Sequence, residues 1–327
     1  MIKTITKADR SQWWQIARAD ENATFYHTPA WVDVATCMSD KYQDTSLSGQ
    51  LKSGTNFVLP MCSFSKIWPL KRVYSVYDNC YGGVIADGPI SNEEYGAIFS
   101  QIPLSPFTSF DLTETPGIEA VRPLDQFTVE EFTCSILDLK EKSFEDVFKN
   151  YTRTHRTNYR KGIKAGITIR PADLNNLSAE MGHFYAIYHD THQKRWGDGA
   201  IGHLFERDFL SRLEAIFKQY PENAFLWFAE LDGEPISAAI NFGWNGRMDG
   251  WMMGTKQEFF KLRPTTVLIT ELIRHAIDNE YATFDFGPNL GNQGAEDFKR
   301  RFGANTVTYK TWHRPSPVLA LIDKIRG

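Results

Sequence analysis

The sequence predicts a mixed α/β protein, with helices on the faces of a mixed sheet, folded as two units in tandem. Three observations carry this reading. The chain has 327 residues, enough for roughly two domains. From residue 129 onward, strand-like and helix-like stretches alternate around a three-strand meander. A stretch rich in Pro, Gly and Thr, 113–128, falls where a boundary would lie. The expected units are 1–128 and 129–327.

In the first unit, residues 2–6 alternate weakly as a strand, and Asp9 or Ser11 can cap a helix through Ala17. Thr28 and Pro29 suit the N-cap and first position of a helix through Met38. Stretches 45–52 and 55–63 form a hairpin about Ser53-Gly54, and 73–76 is extended. Ser91 starts a helix to Ser100, and 108–112 is a further strand.

The second unit opens with a strand at 132–139. Ser143 and Asp146 suit a capping box, and one long helix is expected from there to Lys164. A strand at 167–170 and helices at 178–194 and 204–219 follow. The strands 224–231, 234–244 and 247–254 are joined by Asp232-Gly233 and Asn245-Gly246, both strong hairpin signals. Pro264 begins a helix to Asn279, a last strand spans 306–312, and a tail helix spans 318–325.

The net charge of −4 gives no global electrostatic case for binding nucleic acid or an anionic membrane. Residues 1–128 hold 10 Lys/Arg and 14 Asp/Glu, leaving 26 of each for 129–327, so any basic patch is local. The four cysteines show neither CxxC pairing nor ligand spacing, so no metal site is expected and reduced thiols in the cytoplasm are. There is no apolar run of the roughly 18 residues a membrane helix needs, and MIKTITKADR lacks the apolar core of a signal peptide.

The stretch 281–303, YATFDFGPNLGNQGAEDFKRRFG, organises the second unit. It reads as a buried strand (282–286), a Gly/Pro/Asn loop (287–294) and a short helix. A ligand beyond the carboxyl end of such a strand would meet helix-start N–H groups and the ammonium of Lys299. A plain strand–loop–helix connection with solvated charges fits the same residues.

The order of elements resembles the GNAT acyltransferase fold, and two such units in one chain resemble the FemAB group. That group includes aminoacyltransferases of peptidoglycan cross-bridges and CelD-like acyltransferases. The resemblance rests on FYHTPAW (25–31), YGG (81–83), RTNYRKGIKAGITI (156–169), HQKRW (192–196) and FDFG with FKRRFGA (284–304). It implies transfer of an acyl or aminoacyl group to an amine of a cell-envelope precursor or polysaccharide by direct attack, with an active site in the second unit and a degenerate first unit. It implies acyl-CoA or aminoacyl-tRNA as donor, no metal, a small-molecule or glycan-precursor acceptor, and tRNA as a partner if the donor is charged tRNA. The competing reading is a non-catalytic GNAT-fold module for a phosphorylated ligand.

Such chemistry needs donors for a developing oxyanion and a seat for the donor's phosphates. Lys299 is the first catalytic candidate, because the resemblance places it where the group keeps a lysine; a solvated helix lysine is the alternative. Asp285 could orient the acceptor amine, or be a buried, hydrogen-bonded strand residue. Arg153, Arg156 and Arg160 share a helix face, in a run with no acid between Asp146 and Asp173. They suit a phosphate-bearing substrate, or a solvated basic face paired with carboxylates from elsewhere. His192, Arg195 and Trp196 are candidates for lining a cleft, as are Tyr188 and Glu230. The glycine-rich phosphate turn of acetyl-CoA enzymes is missing from KQEFFKLRPTTVL (256–268), which leaves Lys261, Arg263 and Thr265 to hold phosphate.

Overall fold

The computed structural model describes residues 1–38, 40–65, 68–76, 80–117, 127–196, 209–318 and 321. The elements from the N-terminus are β1 (Ile2–Lys7), α1 (Arg10–Ala19), α2 (Pro29–Met38), β2 (Tyr42–Asp44), β3 (Leu47–Leu51), β4 (Asn56–Leu59), β5 (Cys62–Phe64), β6 (Lys71–Tyr74), β7 (Ile85–Ala86), α3 (Asn92–Phe99) and β8 (Thr108–Thr113). There follow β9 (Thr128–Asp138), α4 (Phe144–Asn150), α5 (Arg153–Lys164), β10 (Thr168–Pro171), α6 (Leu177–Trp196), α7 (Phe209–Gln219), β11 (Ala224–Leu231), β12 (Glu234–Trp244) and β13 (Arg247–Thr255). The last are α8 (Pro264–Asp278), β14 (Thr283–Pro288), α9 (Gln293–Arg300) and β15 (Asn305–Arg314). The tail helix expected at 318–325 lies largely outside the described residues.

The chain divides into two units, Met1–Thr133 with Val307–Gly327, and Cys134–Thr306. Composition alone puts a boundary at 128. The break between units falls after Thr133, and the stretch from Val307 is counted with the first unit, where Thr311–Arg314 of β15 pair with β8.

The first unit holds a sheet of order β1-β3-β4-β7 and a row of strands β15-β8-β6-β5-β2. In that row β6 and β8 run parallel, and α3 makes the connection a parallel pair requires. Its core gathers Leu51, Phe57, Leu59, Phe110 and Leu112.

The second unit has the strand order β10-β11-β12-β13-β14-β9. The meander β11–β13 is set by its two turns: Asp232 and Gly233 take φ of 52° and 81°, Asn245 and Gly246 take 44° and 73°. Positive φ at both central residues matches the right-handed strand twist, which is why Asp-Gly and Asn-Gly mark such hairpins. From β13 the chain crosses through α8 to β14, which pairs with β13 in parallel. Pro264 begins α8, whose Val267, Leu268, Leu272, Ile273 and Ala276 are buried in one core with Met248 and Phe284. Helix periodicity puts these residues on the sheet side.

The single helix expected from 143 to 164 is two. Tyr151 is extended (ψ 144°) and Thr152 caps α5 through its side chain. The break is held from outside the segment: the Thr152 N–H donates to Arg301 O at 2.9 Å, and the Tyr151 ring packs against Phe302. A tertiary anchor overrides a stretch that reads as continuous helix.

Among the described residues no helix is long and apolar enough to cross a membrane, and no three His, Cys, Asp or Glu side chains are grouped as metal ligands.

Candidate functional site

The site forms where two parallel strands part. β13 and β14 are in register at Arg247–Thr283, Met248–Phe284 and Asp249–Asp285. Beyond that point β13 follows β12 and β14 follows β9. Gly250 and Gly287 stand at the fork. Gly287 has φ +78°, and a Cβ there would lie 3.1 Å from Gly250 O. The Asp285 carboxylate accepts the Gly287 N–H at 2.7 Å, so the Asp-Phe-Gly motif is a side-chain-capped bend that only glycine completes without strain. Gly287→Ala is expected to cost about 1–3 kcal/mol, measured as a lower urea midpoint at unchanged slope.

Between β12, β13, β14 and α8 lies a cavity of about 70 Å³. Met252, Ile269, Leu272, Phe284 and Phe286 make its walls mostly apolar. One polar group interrupts them: Asn241 lines the cavity at 2% exposure, and its Oδ1 has no hydrogen-bond partner. A break in the β12–β13 register between Ile240 and Asn241 accompanies it.

Asp285 is fully buried beside this fork and ion-pairs with Arg247. The same guanidinium donates from Nε to Asp249 Oδ1 at 2.7 Å. Two strand carboxylates therefore share one arginine. Burial pushes the Asp249 carboxyl up to about 6; Arg247 pulls it down and Asp285 pushes it up. The alternative reading of Asp285, a hydrogen-bonded strand residue, describes its contacts: one oxygen faces Arg247, the other the Gly287 amide.

Lys299 reaches back from α9 to the loop after β14. Its Nζ donates to Gly287 O at 2.7 Å, Pro288 O at 2.8 Å and Asn289 Oδ1 at 3.0 Å. An ammonium has three donors, and all three are engaged. Asn289 Oδ1 also accepts from Ser135 Oγ at 3.1 Å, which ties the loop to β9. Burial lowers Lys299 to about 8, with Asp285 acting in the opposite direction. The partly buried lysine has, in this geometry, no spare N–H for an oxyanion.

The basic face does not assemble as one anion seat. Arg156 folds back to donate to Lys149 O at 2.7 Å and to Tyr151 O, covering carbonyls at the end of α4. The exposed Arg160 lies over the Phe148 ring at 5.9 Å, and Arg153 is exposed. Arg170 is held by Glu180 and Glu230, which accounts for Glu230. His192 packs on Tyr188, with ring centroids 4.1 Å apart. Arg195 and Trp196 close α6, and their side chains lie outside the described residues.

The phosphate candidates cluster at the start of α8. Lys261 and Arg263 are exposed, and Arg263 takes the left-handed conformation (φ 67°) as N-cap. No side chain caps this helix; Pro264 has no N–H and the Thr266 and Val267 amides donate to Arg263 O, which leaves the Thr265 N–H and the positive end of the helix dipole at its start. Thr265 shares a hydroxyl contact of 2.8 Å with Thr255, which is 2.7 Å from the Ser237 hydroxyl.

Sequence reasoning missed Arg247, Asp249 and Asn241. Single charges or amides within apolar strands (Met248-Asp249, Asn241-Phe242) were the available signal. Nothing local shows that Arg247 meets a carboxylate 38 positions away.

Residues 149–300 match the family model described as an acetyltransferase (GNAT) domain. A comparison with curated protein sequences found no match. Among solved structures, the chain is similar to FemX at 12% identity and a TM-score of 0.67, with 94% of this chain and 96% of that chain covered. It is also similar to the C-terminal domain of a putative lysylphosphatidylglycerol synthetase from Agrobacterium fabrum (11% identity, TM-score 0.58, 96% and 95% covered). A tandem GNAT protein from the clavulanic acid biosynthesis pathway follows at 10% identity, a TM-score of 0.52, and 87% of both chains covered. At these identities the likeness concerns the fold, and it is that of GNAT-like proteins.

Proposed function

We propose, from a chain whose residues 149–300 match the acetyltransferase (GNAT) domain, that the second unit is an acyltransferase acting at the fork of β13 and β14. The observation that carries this is the parting of two parallel strands over an apolar cavity, in a unit whose crossover helix α8 starts without a side-chain cap. An extended donor needs such a combination: strand edges freed from one another to receive its arm, an apolar seat for the acyl group, and the positive end of a helix dipole for phosphate. The amine nitrogen of the acceptor attacks the acyl carbonyl carbon. A C–N bond forms, the bond to the donor's sulfur or oxygen breaks, and the amine proton leaves.

In this reading the side chains of Lys261 and Arg263 and the N–H of Thr265, at the positive end of α8, hold the donor's phosphates. Lys299 contributes by fixing the loop at Gly287, Pro288 and Asn289 that borders the fork. Asp285, locked to Arg247, fixes the strand end. Acyl-CoA and aminoacyl-tRNA are the donors to compare, and the acceptor is an amine of a cell-envelope precursor or polysaccharide. Arg153 and Arg160, both exposed, are available to a phosphorylated acceptor, and His192 and Tyr188 stand on the helix that packs against β13. One observation favours the second reading, a non-catalytic module for a phosphorylated ligand: all three Lys299 donors are already engaged.

The test is a thermal-shift titration with acetyl-CoA and longer acyl-CoAs, then with charged tRNA. Ligand at about 100 times its Kd adds roughly 2.7 kcal/mol, which raises Tm by several degrees. The double variant Lys261→Glu, Arg263→Glu should weaken the shift, since both side chains are exposed. Product formation on an amine acceptor separates enzyme from binding module. Absence of a shift with every acyl-CoA and with charged tRNA would overturn the proposal.

A further inference from the structure

The cavity at the fork is polar at one buried point. Asn241 sits on β12 at 2% exposure, among apolar neighbours, with an unpartnered Oδ1. Leaving a buried amide oxygen unpaired is unfavourable, and native interiors seldom do so without a ligand or water to meet it. Gly250 pairs with it across β12–β13, and a Cβ there would stand 3.5 Å from Asn241 Nδ2. The indole of Trp251 is the only other polar side chain among the described lining residues, and no charged residue lines the cavity.

We infer that Asn241 makes this cavity selective for short acyl groups tipped with a neutral hydroxyl, over alkanoyl groups and over groups tipped with an ammonium. The inference rests on the acyltransferase reading of the same cavity. An alkanoyl tip would bury the amide without a partner. An ammonium would lose its hydration with no carboxylate to face it. A hydroxyl both donates and accepts, so it can satisfy either end of a carboxamide. The volume of about 70 Å³ suits a tip of a few heavy atoms and no long chain.

Three thioesters of nearly equal shape test this: hydroxyacetyl-CoA, propionyl-CoA and aminoacetyl-CoA, titrated calorimetrically into the full chain and into Asn241→Leu. The wild type should bind hydroxyacetyl-CoA about 10–100-fold more tightly than the other two. Asn241→Leu, close in volume, should lose that preference and favour propionyl-CoA. Equal affinities in the wild type, or a preference that survives in Asn241→Leu, would overturn the inference while leaving the acyltransferase reading in place. A second measurement does not depend on CoA. Glycolamide, propionamide and glycinamide are titrated into ¹⁵N-labelled protein, following the Asn241 side-chain amide resonances, assigned by their loss in Asn241→Leu. Only glycolamide should shift them strongly. If no thioester binds and glycolamide still discriminates, the donor reading fails and the selectivity stands; if none of the three amides is distinguished, the selectivity fails.

Discussion

Arg247→Ala should destabilise the second unit by about 3–5 kcal/mol, because it strips the shared partner from two buried carboxylates. Asp249 and Asp285 are register neighbours on adjacent strands, at 1% and 0% exposure, and Arg247 bonds to both. Without the guanidinium they face one another in a region water does not reach. Urea denaturation should show a lower midpoint, and the double variant Arg247→Met, Asp249→Asn should recover much of the loss by removing one of the two charges. If the single variant is as stable as the wild type, the arginine is not holding the pair.

The same cluster sets a pH dependence. Asp249 ionises at about 6 in the folded chain, above its ordinary value of 3.8, through burial first and the neighbouring Asp285 as well. Between those values the folded state binds more protons than the unfolded one, so the contribution is present at low pH and is lost as pH rises through about 6. Asp249→Asn should flatten the stability profile between about pH 4 and pH 6.

Lys299→Ala is the second large effect. It leaves two backbone carbonyls and Asn289 Oδ1 without their shared donor. A cost of about 2–3 kcal/mol is expected, with a fall in Tm of several degrees, since bonds to a charged donor are worth more than neutral ones. The loop that borders the fork loosens with it, so turnover should fall more than tenfold, about 1.4 kcal/mol or more in the barrier. A purely catalytic lysine would lose turnover with folding intact; the three loop acceptors add the loss of stability. Equal stability with full activity would remove Lys299 from both roles.

The sequence by itself determined the elements that rest on local chemistry. The Asp-Gly and Asn-Gly hairpins, the proline start of α8 and the serine caps of α3 and α4 depend on the φ preferences and side-chain acceptors of a few adjacent residues. The same holds for the strand–loop–helix form of the stretch 281–303, where a strand, a glycine with positive φ and a helix follow within a few positions. The tertiary structure alone decided who meets whom. It broke the helix at Tyr151 through Arg301 and Phe302, turned Arg156 onto carbonyls, saturated Lys299 and gave one arginine two aspartates. These outcomes join residues far apart in the chain. A basic or acidic side chain reads the same in sequence whether it faces water, a carbonyl or a ligand; only the packing around it fixes which partner it has and what charge it can hold.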